Sequence, residues 1–328
     1  MLADIDAWSE ALAVVRMALI EEPGIRQPAL LVEWLRRLPS ELRSDPVCVL
    51  LEGTALRGSD LQRAAALHKA AAVAFLDAGD VEAAAGCIEG MGAIAVLVHE
   101  LSLVLAMNEV GERLKALDHP AGEVVLAALA GGIHLAMGDA RAALNRMTPA
   151  AAVASRVGMV GMLSVLLARA HLELGRGESA EAALDHAGSL TREFRLAVVN
   201  VRSRAAWMRG DRDETMRWVA MGIDSASESG HHNDLAVYRC GEAYYEAMAG
   251  NVESARRSLA TCDSLAGAAP VLLEAAVVVA DAVIEVTATG RVRPETRERL
   301  VAVSPHLVPP EWMALPYVSC PEHRSAHD

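Results

Sequence analysis

Ser164 to Leu190 reads SVLLARAHLELGRGESAEAALDHAGSL, and the fold turns on how this stretch is parsed. Two apolar-periodic runs flank Gly175, which marks a short turn between two helices. Ala168 lies seven places before that glycine and Ala180 five places after it. Small side chains at those places let antiparallel helices approach closely enough to close a hairpin, because the distance between helix axes is set by the side chains at the crossing. The arrangement recurs as Ala72, Gly79, Ala84; as Gly131, Gly138, Ala143; as Ser203, Gly210, Thr215; and as Ala243, Gly250, Ala255. The steps from Gly138 to Gly175, on to Gly210 and on to Gly250 are 37, 35 and 40 residues, close to the roughly 34-residue period of helix-turn-helix repeats. An all-α chain of repeated helical hairpins follows.

Composition agrees. Of the 328 residues, 53 % are hydrophobic but only 3 % are aromatic, so alanine, leucine and valine must fill the core. The net charge of −13 argues against an autonomous nucleic-acid surface, which needs a basic face to displace counterions. Lys69 and Lys115 are the only lysines, so nearly all positive charge is arginine. Five scattered cysteines (Cys48, Cys87, Cys240, Cys262, Cys320) form no disulfide framework, and reduced cytosolic thiols are expected. The start, MLADIDAWSEAL, is acidic and lacks the pattern of a secretory leader. The most apolar stretch, Val271 to Val286, carries Glu274, Asp281 and Glu285, which are costly in a bilayer; it reads as a buried helix. A cytoplasmic chain with no membrane partner is expected.

Residues 3–22 read as amphipathic helix, with Trp8, Leu12, Val15 and Leu19 on one face. Pro39 ends the helix carrying Trp34, Leu35 and Leu38, and Ser40-Glu41 and Asp45-Pro46 start the next helical pieces. The run Trp34-Leu35, Leu38-Pro39, Glu41-Leu42, Pro46, Leu50-Leu51 and Ala55 resembles the lead-in to the helical-repeat region of MalT-like, LuxR-type bacterial regulators, and residues 67–95 resemble its continuation. The likeness covers roughly residues 5–290. It implies a tetratricopeptide-like (TPR-like) α-α superhelix, a right-handed solenoid of helical hairpins.

The expected layout is an N-terminal helical cap over residues 1–60, repeats over 61–290, and a C-terminal cap with a partly disordered tail over 291–328. Hairpins are expected near 122–153, 160–190, 194–228 and 233–266, with a last helix over 270–287. The 59 residues between Gly79 and Gly138 fit neither one repeat nor two, so an extra helix is placed there, from Ile94 to Met107 or on to Leu117, ended by Asp118-His119-Pro120. Gly290 keeps the cadence, but Val283 and Glu295 replace the small flanking residues, so the repeat decays into a cap.

Chemistry-bearing motifs are sparse. Neither lysine follows a glycine in the GxxxxGK pattern of a phosphate-binding loop. MalT-like regulators carry a nucleotide-binding module before the repeats and a helix-turn-helix after them; neither is found here, so neither ATP hydrolysis nor direct DNA binding is expected. His99-Glu100 begins an HExxH-like string, but position 103 is Leu, so a zinc-protease reading fails. Cys320, His323 and His327 have ligand-like spacing in an aperiodic tail without a fourth ligand, and His231-His232 reads as a loop pair. His134 and His171 both stand four places before a turn glycine, where a partly buried ring fills the hairpin; a buried imidazole there can titrate near neutrality. No metal, no cofactor and no catalytic constellation are assigned, and no enzymatic activity is expected.

The groove carries the functional expectation. In a TPR superhelix the first helix of each hairpin lines the concave side through positions 10, 6 and 3 before the turn glycine. That places Arg169 and Leu172, then Asn200, Arg204 and Trp207, then Cys240 and Tyr244 on one surface. Arg169, Asn200, Arg204, Trp207 and Tyr244 form the candidate binding set, since the arginine fork suits carboxylate or phosphate and the aromatics add rigid contact area. The bland alternative is a solvated face with incidental side chains. Two readings are expected: a sensor and interaction module related to MalT-like regulators, binding a small effector or a protein partner, or a free-standing TPR adaptor for a peptide or protein, unrelated to transcription.

Overall fold

The computed structural model describes residues 8, 10–14, 28–56, 60–98, 101–157, 159–185, 195–229, 232–265 and 271–303. The described residues are helical throughout, without a strand. The helices are α1 (Pro28–Arg37), α2 (Pro46–Leu56), α3 (Leu61–Asp77), α4 (Val81–Val98), α5 (Leu101–Ala116), α6 (Pro120–Ala136), α7 (Ala140–Arg156) and α8 (Val160–Glu173). They continue as α9 (Gly177–Asp185), α10 (Arg195–Met208), α11 (Arg212–Ser229), α12 (His232–Met248), α13 (Val252–Leu265), α14 (Val271–Thr289) and α15 (Pro294–Val303).

Every turn glycine read from the sequence adopts the left-handed backbone: Gly79, Gly138, Gly175, Gly210, Gly250 and Gly290 have φ between 73 and 86°. At Gly175 the amide donates to Leu172 O at 2.9 Å and the next amide, of Arg176, reaches back to His171 O at 2.9 Å. These two bonds satisfy the last carbonyls of α8, and a side chain with a Cβ is strained at that φ. The following residue then starts the next helix: Asp80, Asp139 and Asp211 accept from the amides of Ala83, Ala142 and Glu214 through their carboxylates. One glycine and one capping residue therefore reverse the chain.

The small flanking residues sit where the helices cross. Ala72, Ala168, Ala243, Ala84, Ala143, Ala180, Thr215 and Ala255 are 0 % exposed, and Ser203 is 2 % exposed. Gly131 is also buried, and a Cβ on it would fall 2.4 Å from the Met147 side chain.

The extra helix is real but is bounded differently. Ile94–Val98 continues α4, and the separate helix α5 begins at Leu101. Its C-terminal turn repeats the glycine geometry without a glycine: Asp118 has φ 56°, Asp118 N–H donates to Lys115 O and His119 N–H to Leu114 O. Asp is among the few residues with a side chain that tolerate this conformation. The turn is closed by Gly111, seven places before Asp118, and by Gly122. A Cβ on Gly122 would lie 2.5 Å from Lys115 N and 2.8 Å from Gly111 O, so α5 and α6 touch backbone to backbone.

Two compact units can be distinguished. One comprises Met1–Gly132, Leu144–Leu167 and Ala183–Ala197; the other comprises Ile133–Ala143, Ala168–Ala182 and Val198–Asp328. In the first, α2 packs on α1 and α3, and α5 packs on both α3 and α4. Gly53 makes the α2–α3 approach possible, since a Cβ there would fall 2.6 Å from Nδ1 of the fully buried His68. Trp8 packs on Trp34 with centroids 5.6 Å apart and rings tilted by 60°, tying the N-terminal helical residues to α1. Pro39 breaks the chain after α1, and Asp45 accepts from Val47 N at 2.8 Å at the start of α2. Val15 and Leu19 lie outside the described residues.

In the second unit, α12 packs against α11, α13 and α14, and α14 against α15. The apolar Val271–Val286 run is the interior of α14, with Val278, Val279, Ala282, Val283 and Ile284 buried against Leu300 and Val303 of α15. Among the described residues no helix is long and apolar enough to cross a membrane. The Gly290 turn departs from the others. The buried Glu285 carboxylate accepts from Arg293 N at 2.8 Å and Thr296 Oγ1 at 2.8 Å, and pairs with the Arg293 guanidinium, so one side chain anchors α15.

Candidate functional site

The five candidate residues all belong to the second unit. Asn200, Arg204 and Trp207 stand four and three residues apart on α10, a spacing that puts them on one face. Asn200 is exposed, whereas Arg204, Trp207 and Tyr244 are half-buried. Trp207 packs on Tyr245 with centroids 5.4 Å apart, and Tyr245 meets the edge of Tyr244 at 5.2 Å. Trp207, Tyr245 and Tyr244 thus make a continuous aromatic wall from α10 to α12. Tyr245, 9 % exposed, anchors the wall through its hydroxyl, which lies 3.3 Å from Ser203 Oγ. Trp218 is not part of it: Arg202 sits over its ring at 4.9 Å, and its indole donates to Glu214.

Arg169 is half-buried on α8 and faces a residue that the groove positions missed. Its Nε lies 3.5 Å from Glu173 Oε1, one helical turn on, and the Glu173 side chain is only 2 % exposed. Arg169 Nε is shielded from solvent without a hydrogen-bond acceptor, and Arg204 Nη1 is also solvent-shielded. The i, i+4 spacing of Arg169 and Glu173 was the available signal. Arg169 is thus paired within α8 by Glu173.

Leu172 and Cys240 do not belong to this surface. Each is 2 % exposed. Cys240 lies in a core cluster with Ala236, Cys262, Leu273 and Ala276, because α14 packs over the part of α12 that a shallower groove would leave open.

His171 and His134 are half-buried, as the hairpin slot implied. His171 Nδ1 is shielded and lacks a hydrogen-bond partner; burial, then the nearby Arg176 charge, hold its pKa below the ordinary histidine value. His99, Glu100, His231, Cys320, His323 and His327 lie outside the described residues. Among the described residues no three His, Cys, Asp or Glu side chains gather as metal ligands.

A concavity of about 510 Å³ lies beside α13 and α14, lined by Leu259 and Ile284 and by the charged Arg256, Asp281, Glu285 and Arg293. Its charges answer one another: Glu285 holds Arg293, and Asp281 lies 3.5 Å from Arg299. The pairing leaves the aromatic–arginine face as the stronger candidate for binding. Compared with known proteins, the sequence matches no protein family and no curated protein.

Proposed function

We propose that this chain is a non-enzymatic interaction module, related to the TPR-like arm of MalT-type regulators, that takes a carboxylate-bearing peptide or protein segment on the Arg169, Asn200, Arg204, Trp207 and Tyr244 face. In this reading the hairpins wind as a right-handed TPR-like superhelix, the face lines its concave side, and the protein works in the cytoplasm. The observation that carries the reading is the Trp207–Tyr245–Tyr244 aromatic wall, with Arg204 one turn before Trp207 on α10. Beside Arg204, the aromatic wall supplies flat, rigid contact area of the kind that dominates binding energy.

The ligand acts on the repeats by favouring whichever hairpin arrangement it contacts best, and only by that difference in affinity. The test uses short fluorescent acidic peptides with a free C-terminal carboxylate and the same peptides amidated. Preferential binding of the free acids, weakened about tenfold or more in Arg204→Gln and by added salt, is the expected result. Arg204→Gln is a cleaner probe than Trp207→Ala, which also removes packing on Tyr245. Equal binding by wild type and Arg204→Gln sinks the assignment. A free-acid small molecule that binds where no peptide does would redirect it to an effector.

A further inference from the structure

α12 and α13 meet through two thiols. Cys240 Sγ and Cys262 Sγ are 3.4 Å apart, and the residues are 2 % and 1 % exposed. Their surroundings are apolar and small-residue-rich, with Ala236, Leu273 and Ala276 packed around them and Val237, Leu259 and Val277 alongside. Cys262 is held in direction, its thiol donating to Ala236 O at 3.4 Å and Ser258 O at 3.6 Å. A disulfide requires the sulfurs to approach to about 2.0 Å, so about 1.4 Å of closure separates the pair from a bond.

We propose that Cys240 and Cys262 form a reversible disulfide, with a hydroperoxide as the two-electron oxidant, that staples α12 to α13. In the first step one sulfur, as its thiolate, attacks the terminal peroxide oxygen; the O–O bond breaks, and with hydrogen peroxide the leaving hydroxide takes a proton to become water. In the second, the other sulfur attacks the resulting sulfenic sulfur, the S–S bond forms, and the sulfenic hydroxyl leaves as a second water. Two thiols and one hydrogen peroxide thus give one disulfide and two waters, and a small dithiol reductant reverses the exchange. Hydrogen peroxide is the smallest oxidant of this class, which suits thiols that are 2 % and 1 % exposed. The bond spans 22 residues across the Gly250 turn and fixes α12, which carries Tyr244 and Tyr245 one turn beyond Cys240. Reversible disulfides of this kind are compatible with an otherwise reducing compartment.

The experiment treats the full chain with hydrogen peroxide, alkylates it under denaturing conditions and measures the intact mass. Expected are three alkylated cysteines instead of five, a peptide pair joining Cys240 to Cys262, recovery of five on reduction, and a higher melting temperature for the oxidised form. In Cys240→Ser no such bond forms and the melting shift vanishes. A second measurement removes burial as an obstacle: the unfolded chain is refolded in a glutathione couple, where every thiol is accessible. Five thiols after that refolding, or a bond joining other cysteines, overturns the pairing. A Cys240–Cys262 bond that appears under glutathione but never with peroxide overturns the hydroperoxide assignment.

Discussion

Thr215 donates its hydroxyl to the Ser203 carbonyl at 3.2 Å, across the point where α10 and α11 cross. The same hydroxyl lies 2.8 Å from Asp211 O at the start of α11, and Ser203 Oγ touches the Tyr245 hydroxyl. The hairpins turning at Gly79, Gly138, Gly175 and Gly250 place alanine at the Thr215 position, so here the crossing is polar and wired to the aromatic wall. Removing the hydroxyl while keeping the volume, as in Thr215→Val, is expected to cost about 1 kcal/mol, and the overfilled Thr215→Leu about 1–3 kcal/mol. Urea unfolding midpoints of the two variants separate the hydrogen bond from the fit.

Gly122 and Gly86 are both helical glycines with opposite expected responses. At Gly122 a methyl group meets Lys115 and Gly111 backbone atoms at 2.5–2.9 Å, and backbone cannot step aside as a side chain can. Gly122→Ala is expected to destabilise by about 1–3 kcal/mol or more, as overpacking does. Gly86 has nothing within 4 Å of its missing Cβ, so Gly86→Ala should stabilise by about 0.5–1 kcal/mol through helix propensity. The two thermal melts are expected to shift in opposite directions.

Asp118 performs a turn glycine's task at φ 56°. Asp118→Gly relieves the left-handed strain, and a gain of about 0.5–1 kcal/mol is expected; Gly175→Ala, at φ 73°, should lose about 1 kcal/mol. Denaturant midpoints of these two variants, measured together, test whether the turns share one conformation.

Acid sensitivity should come in two steps. His171 has its pKa lowered by burial and by Arg176, so its contribution is intact above the ordinary value of 6.5 and falls as pH drops through the lowered folded value. Glu285 is raised by burial, but the hydrogen bonds from Arg293 and Thr296 outweigh that and leave it below 4.5; its contribution is intact above 4.5 and disappears at lower pH. Unfolding midpoints plotted against pH should lose the upper step in His171→Gln and the lower step in Glu285→Gln. A retained upper step in His171→Gln assigns it to another group.

Much of the hairpin pattern was legible because it is local. A glycine at C′, with small residues seven before and five after, encodes both the turn and the crossing in one short window. The helix end at Asp118-His119-Pro120 was legible too, but not the left-handed turn at Asp118, because that geometry is usually glycine's. α5 was expected from a broken cadence, yet its start was misplaced, since Ile94 to Val98 is equally apolar on either side of the boundary. At the candidate site, spacing put Asn200, Arg204 and Trp207 on one face. It could not show that Cys240 and Leu172 are covered, or that Glu173 turns its carboxylate toward Arg169.

The sequence by itself determined the all-helical class and the positions of the glycine turns, because those depend on contacts within a few residues. Only the tertiary structure decided burial: which arginine keeps a shielded donor, which aromatics join into a wall, and which two of five cysteines come within 3.4 Å. Helical periodicity specifies the angle at which a side chain leaves its own axis. What meets that side chain depends on the neighbouring helix, and the sum of packing over distant residues sets that neighbour's distance and rotation.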